Sequence, residues 1–162
     1  MSSSPPLLSA RRQLWTAMAP ALARTVLGLI FFMAGFNKVF ILTPAGHVAK
    51  FFLPFQDTFL PTWSLWAMGY TIPFVELGAG ALVLIGYRRT IAYAALGGVL
   101  AVVTFGHLLH NSLYAFHEHV IPRLGLLLLL LLLPPDSDRC SLDEWLARRA
   151  GRVDPMVTRG SE

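Results

Sequence analysis

The chain alternates between long apolar runs and short polar breaks, and this alternation predicts its architecture. Apolar residues dominate from about Pro20 to Leu42, Trp63 to Gly86, Ile91 to His110 and His119 to Leu133. Each run approaches the roughly 20 residues a helix needs to cross a bilayer. The pattern predicts an all-α protein, an integral membrane four-helix bundle with spans at about 20–42, 63–86, 91–110 and 119–134. Pro134 and Pro135 close the last span, because proline cannot continue a helix.

The breaks carry their own signals. Thr43 to Thr62 contains Pro44, Gly46, Pro54 and Pro61 and reads as a loop. Within it, Thr43-Pro44 marks a helix start, and Val48, Phe51 and Phe52 form an apolar face, so a short interfacial helix is expected there. Tyr87 to Thr90 is a tight basic link, and Asn111 to Glu118 is a second link. Residues 1–19 are expected to be a flexible basic N-terminus, and 135–162 a cytoplasmic tail. Ser141 and Glu144 have capping-box spacing, and Leu142, Trp145 and Leu146 share a face, which predicts a short amphipathic helix at 142–150. Arg11-Arg12 ahead of an apolar run has the look of a signal peptide. The run from Ala21 to Leu42 is too long for that, so a retained first helix is expected.

Composition supports the membrane reading. Hydrophobic residues make up 55% and charged residues 14% of the 162 positions, against about 25% charged in soluble domains. Disorder, a coiled coil and a conventional soluble enzyme are excluded. The formal charge of +4 has a topological explanation. Ten of the thirteen basic residues lie on the side of the termini and the middle link; Lys38, Lys50 and Arg123 do not. The positive-inside rule then gives both termini inside, in a bacterial inner membrane. No basic stripe interleaved with aromatics suggests nucleic acid. Cys140 is the single cysteine, so paired-cysteine redox chemistry within the chain is excluded.

Small residues suggest how the helices pack. Gly28 and Gly35 lie on the first run, Gly78 and Gly80 on the second, and Ala94/Gly98 and Gly97/Ala101 are small-x-x-x-small pairs on the third. Leu126 to Leu133 is eight leucines in succession, assigned mostly to lipid contact.

The candidate chemistry lies in polar residues at membrane depth, where a charge costs about 2.5–3.5 kcal/mol on insertion scales. Counting up from the inner end of each run, Glu76 stands about 15 Å deep, Arg123 about 16 Å, Lys38 about 21 Å and His107 about 24 Å. These depths predict a buried cluster of Glu76 with Arg123 and Lys38, lined by Asn37 and His107, with His110 at its mouth. Such a cluster is either a structural pair that fixes helix register or a pocket that binds a polar head group or relays protons. Arg24 is expected to snorkel to the inner interface. His107, His110, His117 and His119 lie near one another, yet no metal-ligand motif accompanies them, so neither metal nor haem is expected.

Residues 24–40, including Arg24, Gly28, Gly35 and Lys38, resemble the opening helix of the DoxX family of small four-helix membrane proteins. Pro73 to Gly86, with Glu76 ahead of Gly78 and Gly80, resembles its second helix, Arg88-Arg89 its basic link, and Ser141-Leu142-Asp143 its C-terminal signature. The resemblance implies four spans and an association with redox chemistry, since the family includes the quinone-reducing small subunit of thiosulfate:quinone oxidoreductase. Arg24, Lys38 and Glu76 match positions the family pattern carries.

Two functions therefore stay open. In one, the protein is a redox-associated subunit of a quinone-linked oxidoreductase that holds a quinone head group near Glu76, Lys38 and Arg123. A carbonyl needs a donor and its reduction needs a proton source. The chain has no flavin or dinucleotide fingerprint, so electrons would come from a partner. In the other, it is a non-catalytic anchor or assembly factor for a soluble partner enzyme, an oxidoreductase on the cytoplasmic side, docked by Arg88, Arg89 and the Trp145 helix. A small transporter would require a homo-oligomer.

Overall fold

The computed structural model describes the backbone of residues 6–110, 120–134, 137–138 and 140–151, and side chains within these from residue 18 to 109 and from 120 to 150. The described residues are helical, with no strand among them. Helix α1, Pro6–Phe36, runs into a π-helical turn, Asn37–Ile41. Then come α2, Pro44–Phe51, a 3-10 turn, Leu53–Phe55, and α3, Thr62–Ile85. Helices α4, Arg89–His110, α5, Ile121–Leu132, and α6, Leu142–Gly151, complete the order.

Among the described residues, three segments are long and apolar enough to cross a membrane: Met18–Ile41, Thr62–Ile85 and Arg89–Leu109. Helix α5 is apolar but shorter, at 12 residues. Where the composition pointed to a flexible arm, α1 already begins at Pro6. Proline suits the first helical position, and Leu7, Leu8, Ala10, Leu14 and Ala17 are mostly good helix formers.

Glycine sets the closest contact in the bundle, between α1 and α3. A Cβ on Gly80 would lie 2.5 Å from the Phe32 amide nitrogen, and one on Gly28 would lie 2.8 Å from Leu84 Cγ. A Cβ on Gly35 would overlap the Leu77 backbone. Small residues let backbones meet in this way where no water drives the helices together. The other expected glycines do not take part: Gly78 and Gly98 face nothing within 4 Å, and a Cβ on Gly97 would meet Leu127 Cδ2 at an ordinary 3.6 Å. Leu27, Phe31, Val83, Leu96 and Leu127 fill the core. Leu22, Phe74, Ile91 and Leu132 stay exposed, as a lipid-facing surface requires. In α5, Leu127 and Leu130 are buried while Leu128, Leu129, Leu131 and Leu132 face outward.

The C-terminal segment is clasped to the bundle. Gly86, at φ +71°, ends α3 with Tyr87 N–H donating to the Leu82 carbonyl and Gly86 N–H to that of Val83, the two bonds of a Schellman cap. The Asp143 carboxylate accepts from the Arg88 and Arg89 amides at 3.0 and 3.2 Å and so starts α4 from outside it. Arg24, expected to snorkel, is instead 4% exposed. Its Nε donates to Asp138 Oδ2 at 2.6 Å, and its Nη1 donates to the carbonyls of Val83 and Leu84. The guanidinium stays inside because it meets a carboxylate and the bare carbonyls of a helix end together. Only half of the expected capping box forms: Glu144 N–H donates to Ser141 Oγ at 3.3 Å, while the Glu144 side chain accepts from Arg148.

Candidate functional site

The site is built where α1 ends. After Phe36 the helix widens, with Leu42 N–H donating to the Asn37 carbonyl at 2.8 Å. This π-helical turn adds a residue to the repeat and re-aims the side chains that follow. Lys38 falls on the inward side: its Nζ lies 2.6 Å from Glu76 Oε2. Gly35, one turn earlier, brings α1 onto the backbone of Glu76 and Leu77, so the lysine sits directly over the carboxylate. Glu76 is 1% exposed. An ion at that depth requires a partner of opposite charge, and α1 supplies it.

The chain then turns sharply. Thr43 holds φ 65°, ψ 152°, a conformation normally reserved for glycine. Its hydroxyl accepts from Gly46 N–H at 3.2 Å, which caps α2, with Pro44 at the helix start. Helix α2, expected to lie along the interface, docks on α3. Val48 is fully buried, and a Cβ on Gly69 would lie 2.6 Å from Val48 Cγ2. That contact places His47, 3% exposed, with Nδ1 2.7 Å from the Gly69 carbonyl. A carbonyl oxygen only accepts, so Nδ1 carries the proton. Burial holds the ring below its ordinary pKa; the bond to Gly69 opposes this, and the Lys38 charge reinforces it.

These groups wall a cavity of about 790 Å³, within the roughly 300–1,000 Å³ range of small-molecule sites. Lys38, Lys50, Glu76, His47, His107 and Arg123 contribute its polar wall, and Phe51, Phe52, Phe55, Leu65, Ile72 and Val102 are among its apolar lining. His107 bonds through Nδ1 to the Val103 carbonyl at 2.8 Å, which leaves its Nε2 to the cavity side of the chemistry. Arg123 lines the cavity without pairing to Glu76: its guanidinium stands 5.7 Å over the Phe31 ring and acts on the carboxylate only through its charge.

The structure brings together Glu76, Lys38, Arg123 and His107 of the expected cluster. Asn37 is not in it. It is exposed, because a residue next to Lys38 on a helix points about 100° away from it. The side chain of His110, with His117 and His119, lies outside the described residues, as do those of Arg11, Arg12 and Trp15. The sequence reading missed His47, the strained backbone of Thr43 (which it read only as a helix start) and Asp138. The local signal for the first two was the Thr-Pro helix start with a histidine on its first turn; nothing local marks Asp138 as the partner of Arg24. Among the described residues, no group of three or more His, Cys, Asp or Glu side chains is gathered to hold a metal ion.

Residues 16–120 match the family model described as methylamine utilisation protein MauE. No curated protein and no solved structure matches the chain. The match corrects the expected family. Glycines at a helix contact, followed by a lysine facing a glutamate, are what any close helix pair with a buried ion pair needs, so these features do not single out DoxX. The Ser141-Leu142-Asp143 signature lies beyond the matched residues. The redox association implied by that resemblance is left without a family match behind it.

Proposed function

The chain belongs to the methylamine utilisation protein MauE family, and from this premise we propose that it is a membrane-embedded accessory protein whose cavity binds an amphipathic molecule with a quinone-class head group. The carrying observation is the combination at one cavity of an apolar wall with an inward-facing ion pair, Lys38–Glu76. Ions at membrane depth are costly and mark ligand or proton pathways. The lysine ammonium and the Arg123 guanidinium are donors for a ring carbonyl, and the aromatic side chains at Phe51, Phe52 and Phe55 give the ring a flat apolar surface. The family name supplies the setting, methylamine utilisation.

In this proposal α5 is a fourth, short crossing, and the chain has both termini on the inner face of a bacterial inner membrane. The distribution of ten of thirteen basic residues supports that orientation. A second reading rests on α6, where Trp145 and Leu146 are exposed beside Arg148 and Arg149. This face suits a soluble partner enzyme, and the protein then serves as its anchor.

The test is a titration of purified full-length protein with a decyl-benzoquinone, alongside Val102→Trp, which fills the cavity and leaves the ion pair in place. Saturable binding abolished by Val102→Trp supports the proposal. Binding that the filled cavity does not affect refutes it.

A further inference from the structure

We propose that His47 makes the cavity selective for the hydroxylated, reduced form of the head group, its Nε2 accepting a hydrogen bond from a ligand hydroxyl. The inference rests on the cavity reading above and goes beyond it by assigning which chemical form is held and by which atom.

The protonation of the ring is fixed from outside the cavity. Nδ1 must carry the proton because the Gly69 carbonyl, 2.7 Å away, can only accept. In the neutral ring Nε2 then has a lone pair and no proton. The ring is held in this orientation by Phe51 and Phe52, with centroids 5.4 and 5.3 Å from it. No hydrogen bond to Nε2 forms among the described residues. Yet no buried side-chain nitrogen or oxygen there lacks a partner, so Nε2 is an atom that the contents of the cavity reach. His47 lines that cavity.

Of the remaining polar groups, only His107 offers a like nitrogen, and it is half-buried on α4, whereas His47 is 3% exposed. Lys38 and Arg123 only donate. Glu76 has Oε2 held by Lys38 and can still accept through Oε1, but as one end of an ion pair and not as a neutral acceptor of fixed tautomer. A ring carbonyl, which has no proton to give, gains nothing from the imidazole lone pair. A ring hydroxyl satisfies it. A site built to hydrogen-bond a hydroxyl rejects the analogue that lacks one far more strongly than an apolar pocket rejects an added group. The strained backbone at Thr43 and the close approach at Gly69 hold α2, and with it this acceptor, against α3.

The experiment compares three probes on the full chain in detergent: a decyl-benzoquinone, its hydroquinone kept reduced under anaerobic conditions, and the dimethyl ether of that hydroquinone. In the unmodified protein the hydroquinone is expected to bind about tenfold more tightly than the ether, the equivalent of one well-placed hydrogen bond. His47→Asn keeps a side-chain N–H for Gly69 and deletes the Nε2 acceptor. It is expected to bring the hydroquinone-to-ether affinity ratio from about tenfold to near one. Equal binding of hydroquinone and ether to the unmodified protein overturns the inference, whether or not the variant folds. So does a loss in His47→Asn that falls equally on the quinone. In both cases quinone binding still stands. If none of the three probes binds, the cavity reading fails as well.

Discussion

Lys38 Nζ and Glu76 Oε2 meet at 2.6 Å across the α1–α3 contact, with the lysine side chain 22% exposed and the glutamate 2%. The asymmetry makes the pair both a fastener and a wall. The carboxylate is committed to the interior, whereas the ammonium still faces the cavity with protons to give. Removing one partner strands the other, so Glu76→Leu is expected to lower stability by about 3–5 kcal/mol. The double variant Lys38→Met/Glu76→Leu is expected to recover most of that loss, because an apolar pair of similar volume replaces the ions. Denaturation of the purified variants in detergent measures both. A double variant as unstable as the single one would contradict the pairing.

The α1–α3 contact predicts a sharp split among the glycines. Gly35→Ala and Gly80→Ala push a methyl into the backbone of the facing helix and are expected to destabilise the protein by about 1–3 kcal/mol. Gly78→Ala and Gly98→Ala add a methyl to open space and gain helix propensity, so they are expected to be neutral or stabilising by up to about 1 kcal/mol. Thermal unfolding of the four variants checks the pattern. Equal effects at all four sites would mean that the helices meet elsewhere.

Arg24 and Asp138 make a parallel prediction at the other end of the bundle. Asp138→Asn leaves the guanidinium, 4% exposed, without its carboxylate. The expected loss is about 3 kcal/mol. It is expected to free the C-terminal segment from Gly86, which limited proteolysis around residues 135–150 would detect. Unchanged cleavage would show that the clasp is not what holds the segment.

His47 gives stability a pH dependence. Its folded pKa lies below the ordinary 6.5 because the ring is buried. As the pH falls through 6.5, the unfolded chain takes up a proton that the folded protein resists. Stability is therefore full above 6.5 and is lost as the pH falls toward the folded value. Lys38, Lys50, Glu76, His107 and Arg123 line the same cavity and share the field that the imidazole feels. His47→Asn is expected to flatten the decline in melting temperature between about pH 7 and 5. An unchanged slope would place the titration elsewhere.

Much of this was legible in the residue order, for physical reasons. Apolar length reports membrane crossing, so three long helices followed directly from the runs. Glu76 and Lys38 stood out because lipid excludes charge. What escaped is non-local or depends on backbone detail. Asn37 and Lys38 are adjacent in sequence, and only the helical turn decides which faces inward. Arg24 looked like a snorkelling residue because its partner, Asp138, is 114 positions away. His47 sat in a segment read as an interfacial helix, and nothing local announces that Gly69 leaves room for that helix to dock. The family was misread because the motifs that carried the resemblance report helix packing and ion pairing, which unrelated membrane bundles share.

The central claim is that the cavity beside Lys38 and Glu76 is a binding site, and a photoreactive benzoquinone tests it most directly. After irradiation of the full-length protein in lipid nanodiscs, the label is expected on peptides covering 47–55 and 101–107, and an excess of unlabelled decyl-benzoquinone is expected to suppress it. Label spread along the lipid-facing Leu128, Leu129, Leu131 and Leu132, or label that no competitor displaces, would contradict the account.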